Sequence, residues 1–206
     1  KDIRAGLRAL TKAYPHMRTA QGASGMPPRR RQPGGFEGLA RIICGQQVSV
    51  ASAAAIWARF AAAAQPVEAR RILRMSDDEM RAAGLSRPKI KTLRAVAAAV
   101  KDGLDFDDLA SRDDAEVRAR LVSISGIGPW TSDVYLMFCI GRADAFAPGD
   151  LALQEAARLL MGRDARPSAD ELEVIAERWR PWRGVAARLL WSYYRVAKAQ
   201  KSGVPV

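Results

Sequence analysis

Apolar residues recur at helical spacing along almost the whole chain, and no run of β-branched residues alternates with polar ones as a strand requires. That periodicity confines the chain to helix-on-helix packing. Phe36, Leu39 and Ile43 fall on one helical face, and Val50, Ala54, Trp57 and Ala61 on the next. The same spacing predicts helices over residues 2–13, 67–74, 77–83, 87–101, 113–121, 129–140, 150–161, 169–179 and 183–199. Ser76 with Glu79, and Ser168 with Glu171, form capping-box pairs that mark two of the starts. QGASGMPPRRRQPGG (21–35) is rich in glycine and proline and reads as a linker carrying three consecutive arginines. No fixed-period repeat is present. The expected fold is all-α, and 206 residues suffice for one domain or two small lobes.

Lys+Arg number 33 against 22 Asp+Glu, a net charge of +11. In a chain that is 49% apolar, and so able to build a core, such an excess points to a polyanionic partner, above all nucleic acid. Two cysteines, Cys44 and Cys139, lie inside apolar helical patterns and read as buried free thiols of a reducing compartment. With one histidine, His16, they cannot complete a four-ligand zinc or iron–sulfur site. No apolar run reaches membrane-span length and no signal peptide is visible. The first residue is Lys1 rather than Met, so a short leader is expected upstream.

The segment ISGIGPW, residues 124–130, joins two predicted helices through a glycine corner. Gly126 and Gly128 allow positive φ and leave backbone N–H groups uncovered, and Pro129 suits a first helical turn. Ile127 would plug the turn into the core. Amides at such a helix start hold a phosphate, helped by the helix dipole. Downstream, Asp150 follows Pro148 and Gly149 and precedes the helical run LALQEAARLLM. An aspartate there is an N-cap on the plainest reading. A carboxylate in the same place could also stabilise positive charge developing on a sugar. Asp133, one turn into the outgoing helix, reads as a surface or capping residue. Asp144 is a second carboxylate candidate. Arg87, Lys89 and Lys91, like Arg29, Arg30 and Arg31, suit either phosphate contact or a solvated basic face.

The hairpin and the later aspartate loop together resemble the helix-hairpin-helix DNA glycosylase superfamily. Bifunctional members carry a lysine after the second glycine whose amine attacks the sugar. Trp130 occupies that position here, so the resemblance implies a monofunctional glycosylase. Residues 163–206 hold no cysteine, unlike the endonuclease III-type branch, and Ile42 stands where adenine-excising relatives have a glutamate. What remains is similar to the alkylation-repair branch, the 3-methyladenine DNA glycosylase II family. The motifs are FEGLARIICGQQVSVASAA (36–54), GLSRPKIKTLRAVA (84–97), ISGIGPWTSDV (124–134), FAPGD (146–150) and ERWRPWRGVAARLLW (177–191). They span most of residues 36–195.

The resemblance implies two helical lobes with a DNA- and base-binding cleft between them. One would cover 37–128, and 1–36 with 129–206 would form the other. It would be a short form, without the β-rich N-terminal domain of larger members. Asp150 would be catalytic. Trp130 and Trp191 would line the base pocket, where an indole face attracts a cationic alkylated purine. For Trp191, ordinary packing among Leu189, Leu190 and Tyr194 is the alternative. Gly126, Ile127, Gly128 and Thr131 would contact DNA at the hairpin. Gln46 and Gln47 would probe the duplex, Gln47 standing where relatives place an apolar wedge. Leu151 and Val134 replace aromatics found in some relatives. The implied partner is double-stranded DNA containing damaged bases, bound by a monomer in the bacterial cytoplasm or a eukaryotic nucleus. No metal is required for the chemistry, and a monovalent cation on the hairpin carbonyls is compatible with it. A non-enzymatic DNA-binding module and an oxidised-base glycosylase/lyase stand as the alternatives.

Overall fold

The computed structural model describes residues 3–202, with side chains described through residue 200. Among them there are thirteen α-helices, one π-helical turn and no strand. The start of the first helix expected at residue 2 lies outside the described residues. No helix of the described residues is long and apolar enough to cross a membrane. The helices group into two compact units, residues 31–140 and the described parts of 1–30 and 141–206.

In the central unit, α3 (Gly35–Gly45) and α4 (Val50–Ala63) pack on each other, and α3 also lies against α7 (Arg87–Lys101). The short helices α5 (Ala69–Arg74) and α6 (Asp77–Ala82) cover α7. Then follow α8 (Phe106–Ser111), α9 (Asp114–Val122) and α10 (Pro129–Tyr135), the last packed on α3 and α9. Leu39, Ile43, Phe60, Ile72, Leu93, Leu121 and Tyr135 are fully buried in this core. Residues 129–140 therefore sit in the central unit, although the sequence boundaries of 37 and 128 assigned them to the other lobe.

The terminal unit contains α1 (Ile3–Ala13), α2 (Pro15–Ser24), α11 (Leu151–Leu160), α12 (Ala169–Glu177) and α13 (Arg183–Ser202). α13 packs on α1, α2 and α11. Met17, Leu153, Leu172, Trp179, Leu189 and Leu190 form its interior.

Both expected capping boxes are present. Ser76 Oγ accepts from Glu79 N while Glu79 Oε2 accepts from Ser76 N, and Ser168 with Glu171 does the same. A third, Asp113 with Glu116, starts α9. Three local features differ from the periodicity. The expected linker begins inside α2, which Pro15 starts at its first turn and which buries Met17 and Ala20. α8 was not expected; Asp105 caps it through the amides of Asp107 and Asp108. The helix expected over 129–140 is α only to Tyr135, then a π-helical turn, Leu136–Ile140, whose residues are almost all buried.

Candidate active site and nucleic-acid interface

Asp150 is the N-cap of α11, with extended backbone at φ −78° and ψ 116°. Its Oδ1 accepts from Ala152 N at 2.9 Å and Leu153 N at 3.0 Å. The same oxygen accepts a third bond, from Trp191 Nε1 at 3.0 Å. Gln154, on the first turn of the same helix, donates to Pro148 O at 3.0 Å and ties down the loop that presents the aspartate. Both Asp150 and Trp191 are half-buried. Trp191 is thus more than core packing among leucines: its indole N–H fixes the carboxylate. Leu151, next to Asp150 in the chain, is 63% exposed. Asp144 has a different environment. It pairs with Arg180 and Arg183 and accepts from Arg183 N, which makes it a clamp between its loop and the start of α13.

At the hairpin, Gly126 takes φ +87° and Gly128 does not, with φ −98° and ψ 175°. Both glycines allow positive φ and only Gly126 uses it; Gly128 is an extended residue that N-caps α10 without a side chain. A Cβ on Gly126 would lie 1.9 Å from Thr92 Oγ1, whereas at Gly128 nothing lies within 4 Å. The two glycines serve different ends. Gly126 lets the turn rest on α7, and Gly128 leaves the start of α10 without a side chain over it. Ile127 is buried and its N–H is used inside the turn, to Ile124 O at 3.0 Å. Leu121 O and Ile124 O each accept a bond within the hairpin.

Trp130 follows in the first turn of α10, half-buried. Thr131 is only 2% exposed, so its side chain is not a DNA contact. Its Oγ1 instead accepts from Gln46 Nε2 at 2.9 Å. The two predicted DNA-binding segments of the central unit are therefore joined directly. Gln46 ends α3, and Gln47 is exposed with a left-handed backbone at φ 54°, uncommon for a residue with a Cβ. Ser49 caps α4 on the far side of this break by accepting from Ser52 N.

Two residues that hold these segments depart from the sequence expectation. Lys89 is buried, and its Nζ donates to Cys44 O at 2.7 Å, a cation on the C-terminal carbonyls of α3 just before Gln46. Burial holds its pKa below the usual lysine range, and it is not a phosphate ligand. Asp133 is buried rather than on the surface, and Arg118 Nε and Nη2 both donate to its Oδ1, at 2.9 and 2.6 Å. That ion pair ties α9 to α10 across the hairpin. Cys44 and Cys139 are free and buried, and burial pushes both thiols up to about 12, so neither is a nucleophile.

Residues 40–181 match the HhH-GPD superfamily of base excision DNA repair proteins. The chain is 31% identical to the probable bifunctional transcriptional activator/DNA repair enzyme AlkA of Mycobacterium tuberculosis, over 93% of this chain and 40% of that protein. It is 30% identical to DNA-3-methyladenine glycosylase 1 of Schizosaccharomyces pombe, over 81% of this chain and 75% of that protein. In structure it is similar to the Schizosaccharomyces pombe 3-methyladenine DNA glycosylase Mag1 in complex with abasic DNA. The TM-score is 0.84 at 27% identity, covering 91% of this chain and 95% of that one. The chain spans well under half the length of the Mycobacterium tuberculosis relatives it matches.

Proposed function

The chain belongs to the HhH-GPD superfamily of base excision DNA repair proteins, and we propose that it is a monofunctional glycosylase removing alkylated purines from double-stranded DNA. The relatives named as 3-methyladenine glycosylases support that substrate class. The observation that carries the chemistry is the Asp150 carboxylate, held at Oδ1 by two backbone amides and the Trp191 indole.

The target bond is unreachable inside the stack, so the nucleotide is first extruded, at a cost of about a few kcal/mol. The hairpin amides hold a backbone phosphate, and Gln47 stands at the position that fills the vacated stack. The indole of Trp191, bonded to Asp150, receives the base, whose positive charge favours an electron-rich ring. The C1′–N bond then breaks with its electron pair leaving on the base, which departs neutral. Positive charge develops on the sugar, and Asp150 stabilises it. Water adds to C1′ and loses a proton to the carboxylate or to solvent, leaving an abasic site. Trp130 has no amine to form a Schiff base, so water is the nucleophile. A monovalent cation would be held by the hairpin carbonyls and would add positive charge on the phosphate side. The protein acts on DNA as a monomer.

Asp150→Asn tests this reading. An asparagine caps a helix about as well as an aspartate, so the variant keeps its fold and its duplex affinity. Base release from duplexes carrying 3-methyladenine or 7-methylguanine is expected to fall about 10²–10³-fold. Full activity would refute the mechanism. A strong covalent adduct on borohydride treatment with abasic DNA would instead favour the lyase alternative.

A further inference from the structure

The linker arginines have a structural partner. Arg29 and Arg30 are exposed on the segment that follows α2, where Arg30 N closes a turn onto Pro28 O. On α13, Arg188 Nη1 donates to Arg30 O at 3.0 Å and fastens this segment to the helix. Burial, and then the charges of Arg30 and Arg29, pull the Arg188 guanidinium down to about 10. Three arginines thus bring positive charge together on one stretch of the terminal unit, the electrostatic complement of a polyanion. Arg188 also precedes Trp191 by one helical turn, so it shares a face of α13 with the indole that holds Asp150.

We propose that Arg29, Arg30 and Arg188 form a phosphate-binding site of the terminal unit, gripping the DNA backbone beside Asp150. This rests on the glycosylase reading for the identity of the polyanion, and it adds a hold on the strand separate from the hairpin amides. The planar forks suit phosphate oxygens, and a lysine would not reproduce them.

The test is the salt dependence of binding to an undamaged duplex, read by fluorescence anisotropy between about 50 and 200 mM salt. Arg29→Gln with Arg30→Gln removes two exposed charges and leaves the Arg30 carbonyl in place for Arg188, so the segment stays anchored. The slope of log K against log salt should shrink by about 1–2, since each phosphate that the protein neutralises contributes about 0.9. Arg188→Gln should shrink it by about 1. An unchanged slope in the double variant, with base release by the wild type intact, overturns the site alone. A reduced slope from a protein that releases no base from any lesion upholds the site and sinks the glycosylase reading instead.

Discussion

Replacing Trp191 by phenylalanine leaves a flat ring in place and removes the indole N–H that donates to Asp150 Oδ1 at 3.0 Å. The two backbone donors remain, at 2.9 and 3.0 Å, so the cap of α11 survives. A hydrogen bond to a charged acceptor contributes about 1.5–3 kcal/mol. If the carboxylate must hold its orientation in the transition state, that energy comes off the barrier term. At about 1.4 kcal/mol per decade the loss spans roughly 10- to 100-fold in the chemical step. Both groups are half-buried, so water replaces part of the missing bond, and the lower end, about 10-fold, is the expected result. The assay is single-turnover base release with enzyme in excess over a duplex carrying one 7-methylguanine. Duplex affinity should stay within about two-fold, since the ring still offers a stacking face. A chemical step that stays within about two-fold of wild type would refute the orienting role and leave Trp191 as a pocket wall.

The two hairpin glycines should separate in their effects. Gly126→Ala meets Thr92 Oγ1 at 1.9 Å with φ at +87°, and overpacking plus left-handed strain should cost about 2–4 kcal/mol, or roughly 5–15 °C in Tm. Gly128→Ala has open space and an ordinary φ, so its melting should hold while duplex affinity falls; equal stability losses in both would contradict the division. For pH, the one histidine matters. Burial, then Arg178, holds His16 below its ordinary pKa of about 6.5, so the unfolded chain takes up the proton first as pH falls. Stability should therefore be full above about pH 6.5 and decline below it toward the folded-state pKa, and His16→Gln should flatten that decline in chemical denaturation series. An identical decline in the variant would assign it to other groups.

What could be read along the chain was whatever is encoded within a few residues. The capping boxes at Ser76 and Ser168, the plug at Ile127 and the cap at Asp150 are local patterns, and all four are in place. The pairings that organise the site are not local. Gln46 meets Thr131 across 85 residues, Lys89 meets Cys44 O across 45, and Trp191 meets Asp150 across 41. No periodicity reports such pairs, so the resemblance puts Thr131 at the DNA, and Lys89 reads as either a phosphate contact or part of a solvated basic face. Asp133 is misplaced for a related reason. A charge inside a helix reads as surface unless its partner is known, and Arg118 comes from the preceding helix. α2 was not expected, because its glycine and serine mask a face that buries Met17 and Ala20.

The two readings of Asp150, cap and catalyst, would use one atom in the same way. Oδ1 satisfies two amides at the start of α11, which is all that a cap has to do, and an asparagine would do it about as well. A cap therefore gives no reason for an acid in place of an amide, nor for a tryptophan that spends its N–H on the same oxygen. Both features follow if the charge is the purpose and the cap is the mount. With Oδ1 pinned by three donors, the carboxylate group cannot rotate to follow the nearest cation. Such preorganisation is what stabilising a brief positive charge on a sugar requires, because dipoles already in place need no reorganisation when the bond breaks.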